Sequence, residues 1–292
     1  MIAPDGLAAL AVTMLADALA AEVVQGLQAA GVQPILLKGS SIADRLYPDG
    51  GRPYVDADLL IAPADFPRAE LALAGMGLRR DVRLWEQPDY VEHDAPWRRP
   101  GEPTPVDLHR TLPGVCRAAP QEVWQTLARH ALPRPLPGCP VTVRTLDDAG
   151  IALVLVLHLA HHRGQPFFDC AKPIADLERA LDLLPPRAWQ QAADLAGRLR
   201  CEGQFARGLC AVPRGTAMVQ KLGLPRRGPR AVARRLVRAL APPPAWIRWN
   251  WPLARRGRLG LAAAYLLRPA VVVIGAIAPA QQRRASRRRA RA

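Results

Sequence analysis

Lysine is nearly absent from this chain: Lys38, Lys172 and Lys221 are the only three among 40 Lys plus Arg. Alanine, arginine and proline dominate instead, a genome-wide style of composition, so arginine content alone argues little about partners. Cysteine is sparse too. Cys116, Cys139, Cys170, Cys201 and Cys210 are odd in number and contain no C-x-x-C pair, which argues against a disulfide framework or a zinc knuckle and fits reduced thiols. Acidic residues vanish after Glu202: residues 203–292 carry 20 basic side chains and no Asp or Glu, whereas residues 1–202 hold 20 basic against 25 acidic. That asymmetry points to an anionic partner (nucleic acid, an anionic lipid surface or an acidic protein) or to a solvated arginine face. No basic segment precedes the N-terminal apolar region, and Asp5, Asp17 and Glu22 interrupt it. No secretory signal is expected, and a cytoplasmic location is, with peripheral membrane attachment as the alternative.

What is present is enough for a sizeable core, since 50% of the 292 residues are hydrophobic. Apolar spacing predicts opening helices over 7–30, ended by Gly31, then a short strand over 33–37 and a short helix over 42–47. A strand comes next over 55–61, then a helix over 63–76, and strands over 78–84, 89–93 and 104–108. Prolines from Pro113 to Pro140 break the pattern around one helix at 121–130, which places a domain boundary near residue 145. Beyond it, 146–162, 173–184, 187–199 and 203–212 read as helices. The expected organisation is a domain over 1–145, a helical domain over 146–280 and a basic, disordered tail over 281–292.

Asp56 and Asp58 stand two apart in Tyr54-Val55-Asp56-Ala57-Asp58-Leu59-Leu60-Ile61, and in a strand such residues point to the same face. Two carboxylates held so close repel unless a cation neutralises them, and Mg²⁺ suits an all-oxygen site that keeps room for phosphates. Ile35-Leu36-Leu37-Lys38-Gly39-Ser40-Ser41 runs an apolar strand through Gly-Ser into a helix. There, backbone N–H groups, the Ser40 or Ser41 hydroxyl and the Lys38 charge can meet an anion, although a serine-capped turn has the same look. Asp107, in Pro105-Val106-Asp107-Leu108-His109, supplies a third carboxylate that can share a metal or accept a proton. Arg52 is a further candidate for phosphate charge, or a solvated loop arginine.

These stretches together, Lys38 to Ala43, Leu46-Tyr47-Pro48, Arg52, Asp56 to Ile61 and Val106 to His109, resemble the bacterial family of uncharacterised nucleotidyltransferases in the DNA polymerase beta superfamily. The likeness covers residues 30–110 and, more loosely, a helical segment with His158, Asp176 and Leu177. The resemblance implies an α+β fold, a mixed sheet with flanking helices, followed by a helical C-terminal domain. It also implies transfer of a nucleoside monophosphate from a nucleoside triphosphate to an acceptor using two Mg²⁺ (or Mn²⁺) ions. Asp56, Asp58 and Asp107 would be catalytic and metal-binding, and Lys38, Gly39, Ser40, Ser41 and Arg52 would hold the nucleotide. The interval from Ser40 to Asp56 is long for the superfamily but suits this family. The acceptor, whether small molecule, protein or RNA, stays open. So do a non-catalytic, regulatory relative of the same fold and a protein acting through its cationic C-terminal region.

Other constellations are weaker. His158, His161 and His162 share one helix face at i, i+3 and i+4, but lack the glutamate of a metalloprotease helix, so lining the active-site cleft or packing against the first domain is expected. His109 is assigned to the core, facing away from Asp107. Trp246, Trp249 and Trp251 interleave with Arg255, Arg256 and Arg258, as bases, a membrane interface or ordinary packing would each allow. The apolar stretch over 259–280 is divided by Arg268-Pro269 into pieces too short to span a bilayer.

Overall fold

The computed structural model describes residues 4–80, 94–136, 139–163, 169–225, 244, 247–248 and 252–270. Seven strands form one mixed sheet: β1 (Ile35–Leu36), β2 (Ala57–Leu60), β3 (Arg79–Arg80), β4 (Asp94–Arg98), β5 (Val106–His109), β6 (Ala131–Pro135) and β7 (Thr142–Leu146), in the order β3-β4-β5-β2-β1-β7-β6. β2 runs parallel to β5 and β1 parallel to β7, while the remaining neighbours are antiparallel. The fold is α+β, with helices on both faces of the sheet.

Alternation along β2 sorts its side chains between two cores. Ala57 and Leu59 join α1 (Pro4–Ala29) and α3 (Phe66–Gly75), through Val23, Val24, Leu27, Phe66 and Leu73. Leu60, on the other face, joins α2 (Ser40–Leu46), α4 (Pro120–Ala128) and α5 (Asp148–His162). The same core continues into α6 (Ala171–Leu183), α7 (Pro186–Arg198), α8 (Glu202–Leu209) and α9 (Pro213–Lys221). Asp58 therefore points to the side of α2 and α5. α1 is a single helix, long and apolar enough to cross a membrane by length and composition, yet its C-terminal half is spent on the sheet while Leu7, Leu10, Met14 and Leu15 are exposed.

Several boundaries differ from expectation. The proline-rich segment after α4 is no linker, because β6 and β7 pair as an antiparallel hairpin that completes the sheet. Pro133 and Pro135 are tolerated there because β6 is an edge strand, whose outward side needs no N–H donors. The division expected near residue 145 thus falls inside one compact unit, formed by residues 1–81, 92–161 and 170–225, in which α5 to α9 share a continuous core with the sheet. β4 and α9 were not expected. A second unit comprises residues 82–91, 162–169 and 226–292; its described part has a small core of Ile247, Ala254 and Ala264. The expected strand over 89–93, most of the one over 78–84, Trp246, Trp249, Trp251, residues 271–280 and the basic tail over 281–292 lie outside the described residues.

α8 crosses α5 at Gly208, where a Cβ would run into the carbonyl oxygen of Val156. Gly208→Ala is expected to force the helices apart and cost about 1–3 kcal/mol. Gly75→Ala, in a helix with nothing near its missing Cβ, should be neutral or slightly stabilising by up to about 1 kcal/mol. Equal denaturation midpoints for the two variants would contradict this packing.

Candidate active site

The parallel register of β2 and β5 sets Asp58 directly beside Asp107. Asp56, one residue before β2 on the same side as Asp58, completes a cluster in which one carboxylate oxygen from each residue lies within 4.8 Å of the others. Asp58 is 1% exposed, whereas Asp56 and Asp107 are half-buried. The three expected carboxylates are therefore brought together on one face.

Asp58 keeps its charge through two donors to one oxygen. Lys38 Nζ lies 2.7 Å and His109 Nε2 2.8 Å from Oδ1. Oδ2 is buried and accepts no hydrogen bond. Burial pushes the Asp58 carboxyl up, but Lys38 and His109 overcome it and hold it well below the usual aspartate value. Asp56 shifts the other way: burial first, then the Asp58 charge, raise it, and Lys38, Lys172 and His109 only partly offset the rise. Lys38 is drawn down by burial yet ends above the ordinary lysine value, because Asp58, Asp56 and Asp107 all favour its charge.

Lys38 reaches this place because β1 and β2 are antiparallel, with Leu37 N–H donating to the Asp58 carbonyl at 2.9 Å, so the chain leaving β1 passes the start of the acidic strand. Its ammonium also donates to His158 Nδ1 of α5 at 3.4 Å. Next comes Gly39 at φ 71°, ψ −127°, a conformation suited to glycine, and a Cβ there would sit 3.4 Å from the Asp56 carbonyl oxygen. Ser40 and Ser41 are both buried at the head of α2, and the Ser41 hydroxyl donates to the Lys38 carbonyl at 3.3 Å.

Arg52 is not solvated. Its Nε and Nη2 clasp Asp176 of α6 at 2.9 and 2.8 Å, with side chains 7% and 4% exposed, and its buried Nη1 has no hydrogen-bond acceptor. Tyr47 Oη donates to the same carboxylate at 2.9 Å, and its phenol is pushed up to about 12 by burial and by Asp176. Lys172, one turn before Asp176 on α6, lies in the field of Arg52, Asp176, Asp56 and Lys38; burial and then Arg52 depress it below the ordinary lysine value.

One expectation about histidine changes. Residues two apart in a strand share a face, so His109 belongs on the side of Asp107, where it holds Asp58 instead of filling the apolar core. His158 lines the site through Lys38. Lys172 and the Arg52–Asp176 clasp were missed as site features because they depend on where α6 packs, which local sequence does not encode.

Three carboxylates gathered at the adjacent interior strands β2 and β5, beside a glycine turn, could hold a metal ion. The profile of the family described as uncharacterised nucleotidyltransferase matches residues 7–214, and the chain belongs to that family. Among solved structures it is similar to the antibiotic-resistance factor ANT(2'')-Ia, at 15% identity over 63% of this chain and 95% of that one, with a TM-score of 0.40. It is also similar to an antigenic nucleotidyltransferase-like protein from Paracoccidioides brasiliensis, at 15% identity over 72% of this chain and 92% of that one, with a TM-score of 0.42. No curated protein matches the chain.

The opposite shifts of Asp56 and Asp58 separate two isosteric substitutions in metal-free protein. An acid whose folded value is raised costs nothing at low pH; its penalty on folding grows as pH passes the unfolded value and is complete above the folded one. Asp56→Asn should accordingly stabilise the protein slightly at neutral pH. Asp58→Asn removes the partner of a buried ammonium and should cost about 3 kcal/mol, a loss that shrinks only in acid, where Asp58 itself protonates. Thermal melts in chelator at neutral pH check the pair; a loss of stability in both would contradict the assigned electrostatics.

Proposed function

We propose that this nucleotidyltransferase-family protein moves a nucleoside monophosphate from a nucleoside triphosphate to a hydroxyl or phosphate acceptor, with Asp56, Asp58 and Asp107 holding two divalent cations, Mg²⁺ or Mn²⁺. The observation that carries the reading is the convergence of these three carboxylates within 4.8 Å. Their fit to hard cations is supported by Asp58 Oδ2, a buried anionic oxygen without a hydrogen-bond donor, beside two more oxygen ligands. The ions, when bound, would neutralise charge on the transferring phosphoryl group and the departing pyrophosphate.

The remaining steps belong to the chain. Lys38 and His109 fix Asp58 Oδ1 and so hold Oδ2 in one orientation. Gly39, Ser40 and Ser41 form the turn proposed to receive phosphate oxygens, with Lys38 beside it. Arg52, held by Asp176, is proposed to add charge toward the triphosphate through its remaining N–H groups. Asp107 accepts the proton of the attacking acceptor; a new oxygen–phosphorus bond forms at the α-phosphorus, the α–β bridge breaks, and pyrophosphate carries away the electron pair.

The test uses the purified protein, each α-labelled triphosphate in turn, Mg²⁺ or Mn²⁺ and a cell extract as the source of acceptor. Label should move to a discrete product, and Asp56→Asn, Asp58→Asn and Asp107→Asn should each reduce transfer by at least about a hundredfold, the scale of losing one preorganised charge partner. The first two should also lose most of the melting-temperature rise given by Mg²⁺ plus triphosphate, while Asp107→Asn retains more of it. Variants that keep the full Mg²⁺ and nucleotide response would remove the carboxylates from the metal site.

A further inference from the structure

The second unit contains a helix that turns leucines outward. Over residues 257–270 the inward side holds Gly260, Ala264 and Arg268, at i, i+4 and i+8, with Ala264, Leu261 and Tyr265 packed in the small core of Ile247 and Ala254. The outward side carries Leu259, 87% exposed, Leu266, 81%, and Leu267, 53%. Leu259, Ala262 and Leu266 follow i, i+3 and i+7, so they form one strip, and all three are exposed. A helix of an ordinary water-soluble unit turns its apolar strip inward and its charges outward. Single exposed leucines need no explanation, but three on the outward side of one helix do.

Charge identifies what covers the strip. Arg256 and Arg258 are exposed just ahead of Leu259, and residues 203–292 hold 20 basic side chains with no acidic one. The partner is therefore anionic. A nucleic-acid backbone would satisfy the arginines but offers no apolar layer to a strip of leucines. An anionic bilayer offers both within one interface, phosphate headgroups above and acyl chains a few ångströms below.

We propose that residues 256–267 are a membrane-docking element that lies along an anionic lipid surface, with Leu259, Leu266 and Leu267 in the headgroup–acyl boundary and Arg256 and Arg258 on headgroup phosphates. This function is independent of nucleotidyl transfer. It requires no spanning segment and leaves the carboxylate site untouched.

Flotation of the full-length protein with vesicles tests it, using equal parts phosphatidylglycerol and phosphatidylcholine against phosphatidylcholine alone. Wild type should float with the anionic vesicles and bind the neutral ones far less. Leu259→Gln with Leu266→Gln should weaken association about a hundredfold, about tenfold per leucine. Arg256→Gln with Arg258→Gln should weaken it about fivefold per charge, on anionic vesicles only. All four side chains are exposed, so unchanged melting temperatures are expected and confirm that folding is not the cause. The basic tail is present throughout, so leucine variants that float like wild type would assign attachment to charge alone and overturn the docking strip. Wild type that ignores vesicles but binds single-stranded RNA through the same four residues would overturn it in favour of nucleic acid.

Discussion

A carboxylate 1% exposed to solvent stays ionised here because two donors, Lys38 and His109, meet at one of its oxygens. Burying a lone carboxylate costs several kcal/mol, far more than a typical domain can absorb at one position. The antiparallel β1–β2 pair brings Lys38 to Asp58, and the parallel β2–β5 pair brings both Asp107 and His109. Strand order is thus the constraint on which the site depends. Shifting β5 by one residue would turn Asp107 and His109 toward the α1–α3 core and leave Asp58 with Lys38 alone.

The choice of cation fits the same logic. In a chain with three lysines among 40 Lys plus Arg, two of the three, Lys38 and Lys172, lie in the electrostatic field of Asp56. An ammonium is a compact donor that fits between Asp58 and His158, whereas a guanidinium fork demands two parallel acceptors. Arg52 has that demand met elsewhere, by both oxygens of Asp176. Lysine and arginine therefore do separate work on neighbouring carboxylates: one neutralises the acidic cluster, the other ties the loop before β2 to α6.

Much of this is legible in the sequence, and the pattern of success has a physical cause. Asp56 and Asp58 are readable because strand alternation is local, and Gly39 because a strand-to-helix turn with positive φ leaves a glycine in the sequence. The helices from α4 to α8 are readable from apolar spacing. The edge strand β6 is not, since proline argues against a strand unless the strand is known to lie at an edge. Asp176 is placed only loosely, and Lys172 not at all, because their roles arise from the packing of α6 against the loop at Arg52, a contact spanning 124 positions. His109 differs from expectation for a simpler reason: the two-residue period of a strand sets it on the same face as Asp107, not the opposite one.

The balance of charge also implies that the fold does not depend on the metal proposed for the cluster. In a structural metal site the ligands repel or hydrate without the ion, and the fold waits for it. Here Lys38 already compensates Asp58, so the sheet can close without a cation. Asp56 remains the unbalanced member, its carboxyl raised by burial and by the neighbouring charge of Asp58. A divalent ion at the proposed site would relieve that repulsion, and Asp58 could hold it through the buried oxygen to which Lys38 and His109 do not donate. The residues that make the fold tolerable and the oxygens proposed to meet the ion are then different atoms of the same carboxylate. Such a division would let the site form before any ion arrives and exchange it without unfolding.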